Sequence, residues 1–253
     1  MPSISRQLAQ FASALRYEDL PAAVVDRAKG VTLQSLTSVL IGSLSNEAKH
    51  AVKMVVDDEA GVKKGATVMV DGTLVTKAGA AFANSELALA GGKYDTFRML
   101  THPNTAIIPA ALVAAESCGA SGKAYLTGVA AGYEVMERMA AEHIPTMMSR
   151  GFHSGPCFGI FGAAVAAAKV MGYSEDQINS VIAMCASLAS GNLEAARCGG
   201  QPLREGAATR NAMLAVALAV PGHVGGETVL EGEDRKSTRL NSSHVKRSRM
   251  PSS

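Results

Sequence analysis

Apolar positions recur at helical spacing through most of the chain. Ile4, Leu8, Phe11 and Leu15 fall on one face of a first helix. Pro21, whose missing N–H costs nothing in a first turn, opens a second stripe. That stripe runs through Val24, Val25, Ala28, Val31, Leu36 and Leu40 to Gly42. A weaker one covers 48–56. The period then changes: 66–70 and 73–76 flank Asp71-Gly72, a pair that favours a hairpin turn, and no other strand signal is convincing. Helical spacing returns at 78–89 and breaks at Gly91-Gly92. After a loop to Pro103 it reappears over 105–118, 121–142, 159–171, 176–190 and 206–220. Gly119 and Gly172 stand where left-handed C-caps are wanted, and Ser174 with Gln177 forms a capping box.

The predicted fold is therefore mainly α, one large helical domain with a single short β-hairpin. Composition supports close helix packing. Hydrophobic residues make up 47% of the 253 residues, yet aromatic residues are only 4% and Trp is absent. The core must be filled by Ala, Val, Leu, Ile and Met, and the 163–168 alanine run beside Gly159 and Gly162 lets backbones approach closely. No stretch is apolar and uninterrupted enough to span a membrane.

Charge changes the picture at one end only. The net charge is +2, but six basic residues and no acidic ones lie from Arg235 onward, leaving 18 basic against 22 acidic before it. The basic balance is a property of this tail and does not argue for nucleic-acid binding. Residues 233–253 lack apolar periodicity and are read as a disordered basic tail, expected to be non-native read-through. The helical domain is assigned to 1–232. Cys118, Cys157, Cys185 and Cys198 form no CxxC pair and no zinc-type cluster. With no secretory leader, the expected location is cytoplasmic, or the mitochondrial matrix in a eukaryote.

Familiar chemical motifs are missing: no GxGxxG after a strand, no GxxxxGK[ST], no HExxH and no GxSxG. What remains is polar residues in loops that lead into apolar helices. One is 93–98 running into Thr101-His102-Pro103, with Asp95 and Thr96. A second is Phe152-His153-Ser154-Gly155-Pro156. A third is 197–206, with Gln201, Arg204 and Glu205. Loops on rigid supports often carry catalytic groups, and helix N-termini favour anions. Each also has a plain structural reading: a histidine before a helix as a cap, Asp95 closing an Asx turn, and Arg204-Glu205 as a solvated loop. Lys123, Glu134 and Arg138 read as the polar face of a helix.

In order along the chain, several segments carry a resemblance. They are Ala83-Asn84, Asp95-Thr96, Thr101-His102-Pro103, Pro109-Ala110-Ala111-Leu112 and Ala120-Ser121-Gly122-Lys123. Gly132-Tyr133-Glu134-Val135, Arg138, Phe152-His153, Gly159, Gly162-Ala163-Ala164 and Leu230-Glu231-Gly232 complete the series. Together they resemble the MmgE/PrpD family, which includes 2-methylcitrate dehydratases, cis-aconitate decarboxylases and an iminodisuccinate epimerase. The resemblance implies the large helical domain of a metal- and cofactor-independent enzyme, commonly a homodimer, whose smaller α+β lid domain is missing here. It implies a lyase acting on a small polycarboxylic acid, with His102, His153 and Asp95 catalytic and Thr96, Gln201 and Arg204 binding substrate. Within the family the alternative is an epimerase; outside it, an inactive helical dimerisation module. Neither nucleic acid nor membrane is expected as a partner. The sequence departs from the family pattern at Leu89, Gly92 and Tyr94, where His and Asp are usual, and at Gln201 and Arg204, where Lys and His are usual.

Overall fold

A computed structural model describes residues 2–197 and 203–231; Gln201 and the basic segment 233–253 lie outside them. Among the described residues the chain is mainly helical, as the apolar pattern predicts. The order is α1 (Ile4–Ala14), α2 (Ala22–Gly42), α3 (Asn46–Glu59), β1 (Ala66–Thr67), β2 (Leu74–Val75), α4 (Lys77–Ala90) and α5 (Pro103–Cys118). It continues with α6 (Gly122–Ala140), α7 (Ile144–Ser149), α8 (Ser154–Val170), α9 (Glu175–Leu188) and α10 (Glu205–Ala219).

The centre is α8. Apart from Lys169 its residues are all buried, because it packs on α5, α6, α9 and α10 at once. Such a helix needs no polar face, which is why its sequence shows an Ala/Gly run rather than a stripe. Small residues set the spacing: a methyl group at Gly132 of α6 would lie 2.6 Å from Gly162 O of α8 and 2.8 Å from Ala166 Cβ. Beside it, α5 carries Pro109 in mid-helix. The ring removes the donor that Thr105 O would normally receive, and Ser85 Oγ of α4 supplies a replacement at 2.7 Å.

Local stop and start signals behave as read. Gly119 and Gly172 adopt φ of 65° and 74°, and the Ser174–Gln177 box closes with bonds of 3.0 and 3.3 Å. Three expectations are corrected. The hairpin turn spans more than Asp71-Gly72. Val68 N–H donates to Thr73 O, and positive φ falls at Val70 and Gly72. The cause is Asn84 of α4, which accepts from Met69 N–H at 2.7 Å and donates to Thr67 O at 3.0 Å, acting as a strand partner for β1. Next, α8 begins at Ser154 rather than 159, because Pro156 falls in the first turn, where no N–H is required. Finally, the region read as the end of one long helix over 121–142 stops at Ala140 and is followed by the short α7.

Candidate active site

The N-termini of α5 and α8 are tied together by the loop that precedes α5. Phe97 N–H donates to Thr101 O at 2.9 Å, and between them Arg98 and Leu100 sit at φ of 51° and 50°, an uncommon conformation for residues with a side chain. Ser154, the first residue of α8, holds this bend. Its hydroxyl lies 2.8 Å from Thr101 Oγ1 and 3.1 Å from Met99 O. Because of that staple, His102 and His153 become the residues immediately preceding two adjacent helices.

Asp95 is the hub of the first half. One carboxylate oxygen accepts from Asn104 N–H at 2.9 Å, capping α5 from outside, and the other accepts from Tyr133 of α6 at 2.5 Å. Burial pushes the carboxyl up, and these two bonds oppose it. Burial, then the Asp95 charge, raises the Tyr133 phenol well above its ordinary range, so it stays a donor. Asp95 O lies 2.9 Å from His102 Nδ1. A carbonyl only accepts, so Nδ1 carries the hydrogen and Nε2 of the neutral ring holds the lone pair. Thr96 Oγ1 is 3.2 Å from the same nitrogen, and the Tyr94 ring covers the imidazole at a centroid distance of 3.9 Å. His102 is held below the ordinary histidine range, chiefly by burial.

The second half surrounds His153, which is 2% exposed and has no partner for Nδ1. Burial first, then the charges of Arg204 and His102, push it down to about 4. Glu205 is 1% exposed; neither of its oxygens has a hydrogen-bond partner, and Oε2 lies 3.8 Å from Arg204 Nε. Burial raises this carboxyl against the pull of Arg204. Glu86 of α4 accepts from Gly206 N–H at 2.9 Å, and burial followed by Glu205 repulsion brings it to about 7. A groove of 770 Å³ between α3, α4 and α10 reaches Glu86 and Arg204; Asp95, His102 and His153 do not line it. The groove therefore reaches the carboxylate side of the cluster and not the two histidines.

The structure thus brings Asp95, Thr96 and His102 into direct contact and sets His153 and Arg204 within electrostatic reach of them. Gln201 falls outside the described residues. The solvated-loop reading fails for Glu205, which is buried. Tyr133, Asn104, Glu86 and Glu205 are the members that sequence reasoning assigned no role; a lone carboxylate inside the apolar α4 was the available signal for Glu86. Glu134 and Arg138 do pair along an exposed face at 2.5 Å. Among the described residues no group of three or more His, Cys, Asp or Glu could hold a metal ion, and no helix is long and apolar enough to cross a membrane.

Fold and cluster define a helical domain built around acid–base side chains at converging helix N-termini. A sequence model described as the MmgE/PrpD N-terminal domain matches residues 6–244, and the chain belongs to the MmgE/PrpD family. A cis-aconitate decarboxylase-like protein, oryM, of Aspergillus oryzae is 30% identical over 241 residues, covering 90% of this chain and 49% of that protein. Cis-aconitate decarboxylase of Aspergillus terreus is 25% identical over 238 residues, covering 90% of this chain and 48% of that protein. The Homo sapiens cis-aconitate decarboxylase is 31% identical over 160 residues, 61% of this chain and 33% of that protein. The chain spans about half the length of the fungal relatives it matches.

Proposed function

We propose that this chain is the helical domain of a lyase that removes water or carbon dioxide from a small polycarboxylic acid by acid–base catalysis. The observation that carries the reading is the His102 tautomer. The bond to Asp95 O leaves Nε2 with its lone pair, and burial keeps the ring neutral at physiological pH. A neutral imidazole with a fixed lone pair is a base for a proton next to a carboxylate. The decarboxylases among the relatives, which share the family, favour the same reaction class.

In this reading Arg204 binds a substrate carboxylate, and Thr96 and Asp95 hold the His102 side of the site. For dehydration, His102 takes the α-proton and His153 delivers a proton to the departing hydroxyl. For decarboxylation, Arg204 holds a retained carboxylate while carbon dioxide leaves, and His153 protonates the carbanion. Both histidines are neutral in the empty site, which suits His102 as the base and means that the proton His153 delivers comes from its neutral ring.

The test is to incubate the protein with cis-aconitate and, separately, 2-methylcitrate, following both by NMR in deuterated buffer. Loss of carbon dioxide or water, lowered about 10²–10⁴-fold by His102→Asn, is expected. Exchange of a substrate proton without either loss moves the assignment to an epimerase. No turnover together with no calorimetric binding of tricarballylate overturns the reading.

A further inference from the structure

The lyase reading asks His153 to act as an acid, yet its surroundings oppose a charged imidazole. The answer lies in the first turns of α8 and α10. Gly155, two residues after His153, has no side chain, and a methyl group there would collide with Glu205 Oε1 while lying 3.1 Å from His153 Nδ1. The two atoms thus border the same small space. Both are buried and both lack a hydrogen-bond partner. Leaving such groups unmade is costly, and a small rotation of the Glu205 side chain across the gap at Gly155 would satisfy both. Its other oxygen already leans towards Arg204 Nε at 3.8 Å.

We propose that Glu205 is a positioning residue for His153: its carboxylic acid donates to His153 Nδ1, places the ring hydrogen on Nε2, and replaces the proton that Nε2 delivers. The step balances. The Nε2–H bond breaks as the proton passes to the carbanion or leaving hydroxyl, and the Glu205 O–H proton moves to Nδ1. The ring ends neutral in the other tautomer and Glu205 ends as a carboxylate beside the Arg204 guanidinium, to be reprotonated from solvent. No imidazolium is required at His153 at any stage.

The charged groups around the pair act on it in opposite directions. From α4, Glu86 repels a charge on Glu205 and so favours its protonated form; Arg204, just before α10, attracts that charge and steadies the carboxylate left after the transfer; and a proton gained by His102 disfavours an imidazolium at His153. Cys157, one turn along α8, is a neutral thiol, pushed up to about 11 by burial. Burial itself favours the protonated carboxyl. The inference deepens the lyase reading and rests on it only for the identity of the proton acceptor.

Its test needs no turnover. Infrared spectroscopy at neutral pH, carried out in Glu86→Gln so that the carboxyl near 7 does not contribute, should show the carbonyl stretch of a protonated buried carboxylic acid, lost when Glu205→Gln is added. Nitrogen-15 NMR of labelled histidine, with His153 assigned through His153→Gln, should show the Nε2–H tautomer. That tautomer should persist in Glu205→Gln, whose amide still donates, and be lost in Glu205→Ala. With either active substrate, Glu205→Gln should lower kcat at least tenfold while leaving KM within twofold. A His153 ring carrying its hydrogen on Nδ1 in the unmodified protein overturns the proposal, even if no variant folds. So does a band that survives Glu205→Gln. Absence of lyase activity alongside the expected band and tautomer would count against the reaction and not against the pair.

Discussion

Replacing Glu86 by Gln should stabilise the protein at alkaline pH and leave it unchanged in acid. Glu86 is displaced from its ordinary 4.5 to about 7, first by burial and then by Glu205. Below about 4.5 the carboxyl is protonated whether the chain is folded or not, and it contributes no pH dependence. Between about 4.5 and 7 the folded chain holds a proton that the unfolded chain has released, so stability falls as pH rises. Above about 7 both states are ionised and the full penalty, about 3 kcal/mol as an upper figure from that displacement, is in force. Glutamine has the same shape and keeps an oxygen for Gly206 N–H, which now donates to Glu86 at 2.9 Å. Its amide can also donate to Glu205. Urea unfolding of both proteins at pH 4.5, 6 and 8 measures the effect: the midpoint advantage of Glu86→Gln should be absent at the lowest pH and largest at pH 8. A constant difference between the two proteins across the series would refute the account of Glu86 as a partly buried, repelled carboxyl.

Four further outcomes follow from packing and hydrogen bonding. Gly132→Ala should destabilise by about 1–2 kcal/mol, since overpacking against the Gly162 backbone outweighs the helix-propensity gain. Gly30→Ala, on the exposed face of α2 with nothing within 4 Å, should stabilise by about 0.5–1 kcal/mol; urea midpoints moving in the same direction would contradict the close-approach argument. Ser85→Ala should cost about 1–3 kcal/mol by orphaning Thr105 O beneath Pro109, read by the same unfolding assay. Tyr133→Phe removes the 2.5 Å bond to Asp95, so the Asp95 carboxyl should rise further, seen as an upward shift of its carbon-13 NMR titration.

Much of this molecule was legible from neighbours in the chain. The Ser174–Gln177 box, the glycine caps at 119 and 172 and the helical stripe of α1 are set by contacts within a few residues, so local pattern suffices to find them. The loop carrying Asp95 and His102 and the one carrying His153 were likewise visible as polar interruptions before apolar helices. The turn after β1 reads as a tight pair, because nothing nearby in sequence announces that Asn84 will serve as its partner. The start of α8 is hidden for a related reason: Pro156 reads as a breaker until its position in a first turn is known.

Sequence alone determined a mainly helical domain, its caps, and the histidines and aspartate set before its helices. Tertiary structure alone decided which charges share a buried space. Glu86 and Gly206 are 120 positions apart, and Glu205 Oε1 and His153 Nδ1 border one space only because Gly155 leaves a gap between two packed helices. Periodicity and capping depend on residues a turn apart, whereas the protonation of a carboxyl depends on how much water is excluded from it and which charges remain. That exclusion is a property of the assembled helices.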